Sequence, residues 1–185
     1  MEVVVFLPGI LGSELRTADD RKVWPPDVSE AISELAQWKI DALLDETPLK
    51  APTVVEKVCL KNIYRGFLRD LEDAGFTRNG TGKRLELMPY DWRLDLLEVT
   101  APDIANRLDA LVADGATRIH LVAHSMGGWS LVFLCKIRNM SAGHGALLCI
   151  KLLQWLPRFE ALPLPWCGFL GWKRSLAFRA GPLPR

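Results

Sequence analysis

Ile119-His120-Leu121-Val122-Ala123-His124-Ser125-Met126-Gly127-Gly128 is an apolar run that stops abruptly at a serine held between small residues. A serine presented at the end of a strand needs a sharp strand-to-helix turn, and such a turn accepts only small side chains two positions before and after it. Ala123 and Gly127 fill those positions. Glycine is usual at both, so Ala123 is a mild departure. The flanks agree with the turn: Thr117 to Ala123 reads as a buried parallel strand, a short apolar run that follows Gly115. Ahead of it, Ala101 to Asp114 reads as a helix with Thr100 as cap, Pro102 in the first turn, and Ile104, Leu108, Leu111 and Val112 on one face. Ser125 is therefore the candidate nucleophile; the alternative is a core serine at a tight turn.

A second apolar run, Val3-Val4-Val5-Phe6-Leu7, predicts a central strand buried on both faces. It breaks at Pro8-Gly9-Ile10-Leu11-Gly12. An acyl-transfer site must stabilise an oxyanion, and each backbone N–H aimed there is worth about 2.7 to 4 kcal/mol. Such donors come from the residue after the nucleophile and from the loop after a neighbouring strand. Met126 and Ile10 are the candidates, the alternative for Pro8 to Gly12 being an ordinary strand-ending turn.

Three motifs now stand in order: Pro8-Gly9-Ile10-Leu11-Gly12-Ser13-Glu14-Leu15, Pro89-Tyr90-Asp91-Trp92-Arg93, and Ala123-His124-Ser125-Met126-Gly127-Gly128. Together they resemble the lecithin:cholesterol acyltransferase family, which includes lysosomal phospholipase A2 and phospholipid:diacylglycerol acyltransferases. The resemblance covers residues 1–128. It implies an α/β-hydrolase core, a mostly parallel sheet with helices on both faces, here C-terminally incomplete. It further implies an acyl-enzyme on Ser125 drawn from a lipid ester and passed to an alcohol or to water. The family's placement of an oxyanion donor between the Pro-Gly and Leu-Gly pairs supports Ile10. Leu11 and Trp24 are candidate substrate contacts.

Residues 13–61 look like an insertion over the active-site end, with Trp24-Pro25-Pro26, a helix near Ser29 to Leu44, and Pro48 and Pro52 as punctuation. In the family such segments form a lid and a lipid-binding surface; core packing is the other reading of Trp24 and Trp38. Lys61 to Ala74 predicts an amphipathic helix ending at Gly75, with Ile63, Phe67, Leu68 and Leu71 inward. Arg84 to Met88 predicts a short strand. After it, Asp91 and Arg93 are expected to pair locally and pin a loop, with substrate binding as the alternative.

At 185 residues the chain suits one α/β domain with a real core. Cys59, Cys135, Cys149 and Cys167 form no metal-ligand spacing, three histidines are too dispersed for a zinc site, and no phosphate-binding glycine loop appears, so neither metal nor cofactor is expected. The start lacks the basic and apolar regions of a signal peptide, which leaves a cytoplasmic protein as the default expectation.

The net charge of +1 conceals a break. Residues 1–128 hold 15 Lys and Arg against 21 Asp and Glu; residues 129–185 hold 8 against 1. Four of seven tryptophans and three of four cysteines lie in that tail. Its basic residues are spread singly, which argues against nucleic-acid binding. Lys151, Arg158 and Glu160 interrupt the apolar stretch Ala146 to Gly171, a poor membrane span. Past Gly128 a family-like helix would open Leu-Val-x-Arg-Phe, whereas this chain reads Trp129-Ser130-Leu131-Val132-Phe133. With suitable codons, a one-base deletion after a glycine codon converts one into the other, so residues 129–185 are expected to be an aberrant, frame-shifted tail. The sheet edge beside Ser125 is then expected to be unpaired.

A serine acyl-transfer site of this type draws on an acid and then a histidine downstream of the nucleophile. After Ser125 the sequence has only His144 and Glu160, in the reverse order. His124 and His120 are expected to be structural. The catalytic acid and histidine are thus unassigned and expected to be absent. The expected function is a serine O-acyltransferase or lipase acting on lipid esters, truncated and weakly active or inactive, with contact to a membrane or lipoprotein surface. Two other classes compete: a small-ester carboxylesterase, and a non-catalytic basic, Trp-containing membrane-binding module.

Overall fold

Five consecutive apolar residues, with no polar position for solvent to claim, dictate a strand that is dry on both sides. The computed structural model describes residues 1–27, 37–58, 60–137 and 148–152. Its elements are β1 (Glu2–Leu7), β2 (Leu15–Arg16), β3 (Lys22–Trp24), α1 (Gln37–Leu44), β4 (Lys57–Val58), β5 (Lys61–Asn62), α2 (Arg65–Asp73), β6 (Lys83–Leu87), a wide π-type turn (Leu96–Thr100), α3 (Ala101–Ala113), β7 (Arg118–Ala123), α4 (Met126–Ile137) and β8 (Leu148–Leu152).

Four strands form one sheet in the order β6-β1-β7-β8, and every neighbouring pair is parallel. Central strand β1 sends Val3, Val5 and Leu7 into one apolar cluster and Val4 and Phe6 into another. The first cluster is closed by Ile104, Leu108 and Leu111 of α3 and Leu131 and Leu134 of α4; the second by Leu68 of α2 with Tyr64 just before it. Helices therefore cover both faces, as the two-sided apolar pattern of β1 requires. Because the strands are parallel, the ends Leu7, Leu87 and Ala123 reach the same edge, and the three loops that follow them converge there.

Several boundaries differ from the sequence-based expectation. Helix α2 starts at Arg65, because Lys61–Asn62 pairs with Lys57–Val58 as a small antiparallel ladder. Ile63 is exposed, and Tyr64 takes the inward position instead. Thr100 caps nothing; Asp95 is the real cap, its carboxylate accepting from the N–H groups of Leu97 and Glu98 at 2.8 and 2.6 Å. The π-type turn lengthens the helical entry by a turn and moves the cap upstream. Val112 lies on the solvent side of α3. Helices α2 and α3 end where predicted, at Gly75 and Gly115, each with positive φ and the 6→1 and 5→2 hydrogen bonds that close a left-handed terminus.

The expected open edge beside Ser125 is corrected: β8 pairs with β7 from Ile119↔Leu148 to Ala123↔Leu152. Within residues 13–61, β2 and β3 form an antiparallel pair, with α1 following. Residues 28–36 of the helix expected near Ser29 to Leu44, and Cys59, His144, Glu160 and Cys167, lie outside the described residues. Among the described residues no helix is long and apolar enough to cross a membrane.

Candidate active site

The turn between β7 and α4 forces Ser125 into the left-handed region, at φ +50°. A residue with a Cβ occupies that region at a cost of about 1–2 kcal/mol, so surrounding packing must hold it there. That packing is close. A Cβ on Gly127 would lie 2.5 Å from the Pro8 carbonyl oxygen and 2.9 Å from that of Leu7, both backbone atoms that cannot step aside. A Cβ on Gly9 would meet Ser125 Cβ at 3.0 Å and His124 Nδ1 at 2.8 Å. The small residues thus let the loop after β1 lie directly against the elbow, with the Ser125 side exposed above it.

The Pro8–Gly12 loop turns tightly. Gly12 N–H donates to the Gly9 carbonyl at 3.0 Å, and Leu11 takes φ +61°, the sign a type II turn needs at its third position. Ile10 and Leu11 are left exposed at the tip. The sheet topology brings this loop beside Ser125 and the first residue of α4, Met126. Among the described residues neither the Ile10 nor the Met126 N–H meets an acceptor.

The segment after β6 braces that loop. Tyr90 donates its hydroxyl to the Pro8 carbonyl at 3.0 Å and its N–H to Ser13 Oγ at 3.1 Å. Trp92 Nε1 donates to the Ser13 carbonyl, and Trp24 Nε1 to the Leu11 carbonyl at 2.8 Å, with the two indoles edge to face. Trp24, a candidate substrate contact, is thus half-buried and fastened to Leu11, the other such candidate. Burial pushes the Tyr90 phenol well above its ordinary range, so it remains a donor. The Ser130 hydroxyl is fully buried and lies near that phenol without a hydrogen-bond partner among the described residues.

Asp91 and Arg93 pair at 2.6 Å, both almost wholly buried, which bears out the local pairing expected of them. Arg93 then spends its remaining N–H groups on the carbonyls of Ala42, Asp45 and Thr47, while Asp91 Oδ2 also accepts from Leu49 N–H. The end of α1 and the loop beyond it are tied to the sheet by this one pair. Arg107 of α3 holds the carbonyls of Leu87 and Pro89 from below.

The two described histidines have separate partners. His120 bonds Glu2 at 2.8 Å, at the opposite end of β7 from Ser125; that bond, more than burial opposes it, keeps the Glu2 carboxyl below its usual range. His124 places Nδ1 2.9 Å from the Tyr64 hydroxyl, and burial pushes its pKa down. Among the described residues no hydrogen bond reaches Ser125 Oγ.

Residues 38–168 match the lecithin:cholesterol acyltransferase family. The chain belongs to the lecithin:cholesterol acyltransferase family. Membership implies acyltransferase or lipase-type chemistry on lipid esters. The match opens inside α1 and runs through both the Pro89–Arg93 segment and the Ser125 elbow that are characteristic of this chain's edge. A search of curated proteins finds no match. Tyr64 and Tyr90 are the residues bracing this edge that sequence reading left without a specific partner. A buried tyrosine on an apolar face is the one signal that points to them, because its hydroxyl must find a partner.

Proposed function

We propose that this chain transfers acyl groups from lipid esters through Ser125. The observation that carries the proposal is the exposed Ser125 in a left-handed elbow, packed against Gly9 of the Pro8–Gly12 loop. In this scheme Ser125 Oγ attacks the ester carbonyl and loses its proton to solvent water, which also supplies the proton the departing alcohol takes up. The Oγ–C bond forms as the carbonyl π electrons move onto oxygen, and the Ile10 and Met126 N–H groups receive the resulting oxyanion. Collapse expels the lipid alcohol, which takes up a proton, and leaves an acyl-serine for an alcohol or water to attack.

Residues 126–185 hold no acid that a histidine follows. With oxyanion donors and binding alone, a serine site keeps about 10³ to 10⁴ over water, so slow acylation is what residues 1–185 by themselves should give. The test is a fluorophosphonate probe applied to the full chain and to Ser125→Ala. Slow labelling that vanishes in the variant supports the proposal; labelling at the speed of a complete triad overturns its slow component. Labelling that persists in Ser125→Ala removes Ser125 as nucleophile. Parallel turnover of phospholipid vesicles and of short soluble esters separates a lipid enzyme from a small-ester carboxylesterase.

A second proposal concerns residues 129–185 as a frame-shifted tail. The charge break and the reversed order of His144 and Glu160 support it; the inward Leu131 and Leu134 and the family match as far as residue 168 support a native α4. The nucleotide sequence after Gly128 decides between them, since a frame-shifted tail requires a single-base change that restores a family-like continuation.

A further inference from the structure

One hydroxyl joins three segments that are far apart in sequence. Tyr64, the residue before α2, is 8% exposed and sits with its ring edge-on to Phe6 and to His124. Its hydroxyl is 2.9 Å from the Gly9 nitrogen and 2.9 Å from His124 Nδ1. A Cβ on Gly12 would come within 2.8 Å of it, so the loop wraps the phenol closely.

The proton inventory favours one assignment of roles. An amide can only donate, so Gly9 N–H gives its hydrogen to the phenol oxygen. The phenol has a single hydrogen, and the other group within reach is Nδ1. Giving that buried hydrogen its one acceptor in reach assigns His124 the neutral tautomer that carries its proton on Nε2, whereas an Nδ1 proton would leave the phenol hydrogen without a partner. Burial favours the neutral form of both partners, raising the phenol pKa and lowering that of the imidazole.

We propose that Tyr64 is a positioning residue for acyl transfer, its hydroxyl clamping the Gly9 amide of the oxyanion loop to the His124 ring beside Ser125. The proposal rests on Ser125 being the nucleophile. Gly9 directly precedes Ile10, so the clamp sets where the Ile10 N–H points relative to Ser125. Tyr90, on the Pro8 carbonyl, fixes the same loop from the other side. Donor placement matters only once the oxyanion forms, and a shift of about 1 Å in a supporting group can cost a hundredfold in rate.

The experiment uses the full chain with a fluorophosphonate probe, in Tyr64→Phe, His124→Leu, His124→Asn and Tyr64→Phe/His124→Leu. For Tyr64→Phe, kinact is expected to fall by about tenfold to a hundredfold with KI unchanged, and labelling at completion to match the unmodified chain. A merely structural defect would instead lower the labelled fraction. His124→Asn, which retains an acceptor near the Nδ1 position, recovers most of the rate lost in His124→Leu, and the double variant loses no more than either single one. Imidazole ¹⁵N spectra of the unmodified chain should show His124 protonated on Nε2 alone. A Tyr64→Phe kinact equal to that of the unmodified chain, or a proton on Nδ1, overturns the proposal. If Tyr64→Phe does not fold, the His124 pair and the unmodified chain's spectrum still decide it. Loss of all Ser125-dependent labelling in the unmodified chain defeats the nucleophile reading and the catalytic half of this one, and the spectrum alone then reports on the clamp.

Discussion

The carboxylate of Asp91 and the guanidinium of Arg93 face each other at 2.6 Å beneath the active-site edge, and together they hold five backbone groups of residues 42–49 and their own turn. Removing one member of such a pair leaves the other buried and uncompensated, which costs about 3–5 kcal/mol. Arg93→Ala should therefore lower the urea midpoint sharply and open the segment after α1 to protease. Arg93→Lys should rescue little, since one ammonium cannot span three carbonyls and a carboxylate. Equal midpoints for Arg93→Lys and the unmodified chain would show that the fork geometry is unimportant.

Two glycine-to-alanine changes should move stability in opposite directions. At Gly127 the new methyl meets the Pro8 and Leu7 carbonyls, and overpacking against immovable backbone costs about 1–3 kcal/mol, more than helix propensity returns. At Gly66 in α2 the methyl meets nothing within 4 Å, so the chain should gain up to about 1 kcal/mol from propensity and a less flexible unfolded state. Denaturant titration of the two variants side by side checks both signs.

Ser125→Gly should abolish probe labelling yet raise the melting temperature, because glycine adopts φ +50° without the roughly 1–2 kcal/mol that a side chain incurs there. Ser125→Ala should lose labelling with no such gain. A melting temperature for Ser125→Gly at or below that of Ser125→Ala would mean the elbow is not strained.

His124 supplies a pH dependence whose sign is fixed by its depressed pKa. As pH falls below about 6.5, the ordinary histidine value, the unfolded chain takes up a proton before the folded one does. The stability held by the neutral ring is complete above that pH and is lost as pH descends through the folded pKa. Melting temperatures from about pH 7.5 to about pH 5 should decline less in His124→Asn, which does not titrate. A parallel decline in both proteins would assign the effect elsewhere.

Leu134→Ala tests whether the residues after Gly128 belong to the folded core. Leu134 is almost fully buried against β1 and α3, and emptying such a site costs about 2–5 kcal/mol. A change under about 0.5 kcal/mol, the size of an ordinary surface substitution, would remove α4 from the cooperative unit.

The central strands and the elbow were legible because their constraints are local. Val3 to Leu7 offers no polar face, and only small residues flank Ser125. The Asp91 and Arg93 pair could be read for the same reason, lying two residues apart. Tyr64 could not: its hydroxyl finds Gly9 and His124 at separations of 55 and 60 residues, and nothing near it in sequence names them. Period alone assigned Ile63 inward because it took the helix to begin at Lys61; the β4–β5 ladder shifts that start and rotates Tyr64 in. Thr100 and Asp95 are both capping residue types, and the π-type turn between them decided which one caps. The pairing of β8 with β7 depends on residues beyond the charge break, where pattern gave no guide.

Strand β1 lies between two partners that arrive much later in the chain: Val4 must wait for Leu85 on one side and for His120 on the other. During synthesis its run of β-branched and aromatic residues therefore travels unpaired past the ribosome while the intervening segments are made. Closing such long loops is slow, and an uncovered β-rich segment is prone to associate with its like. The same strand that makes the finished sheet dry on both faces makes the growing chain a natural client for chaperones that shield extended apolar peptide.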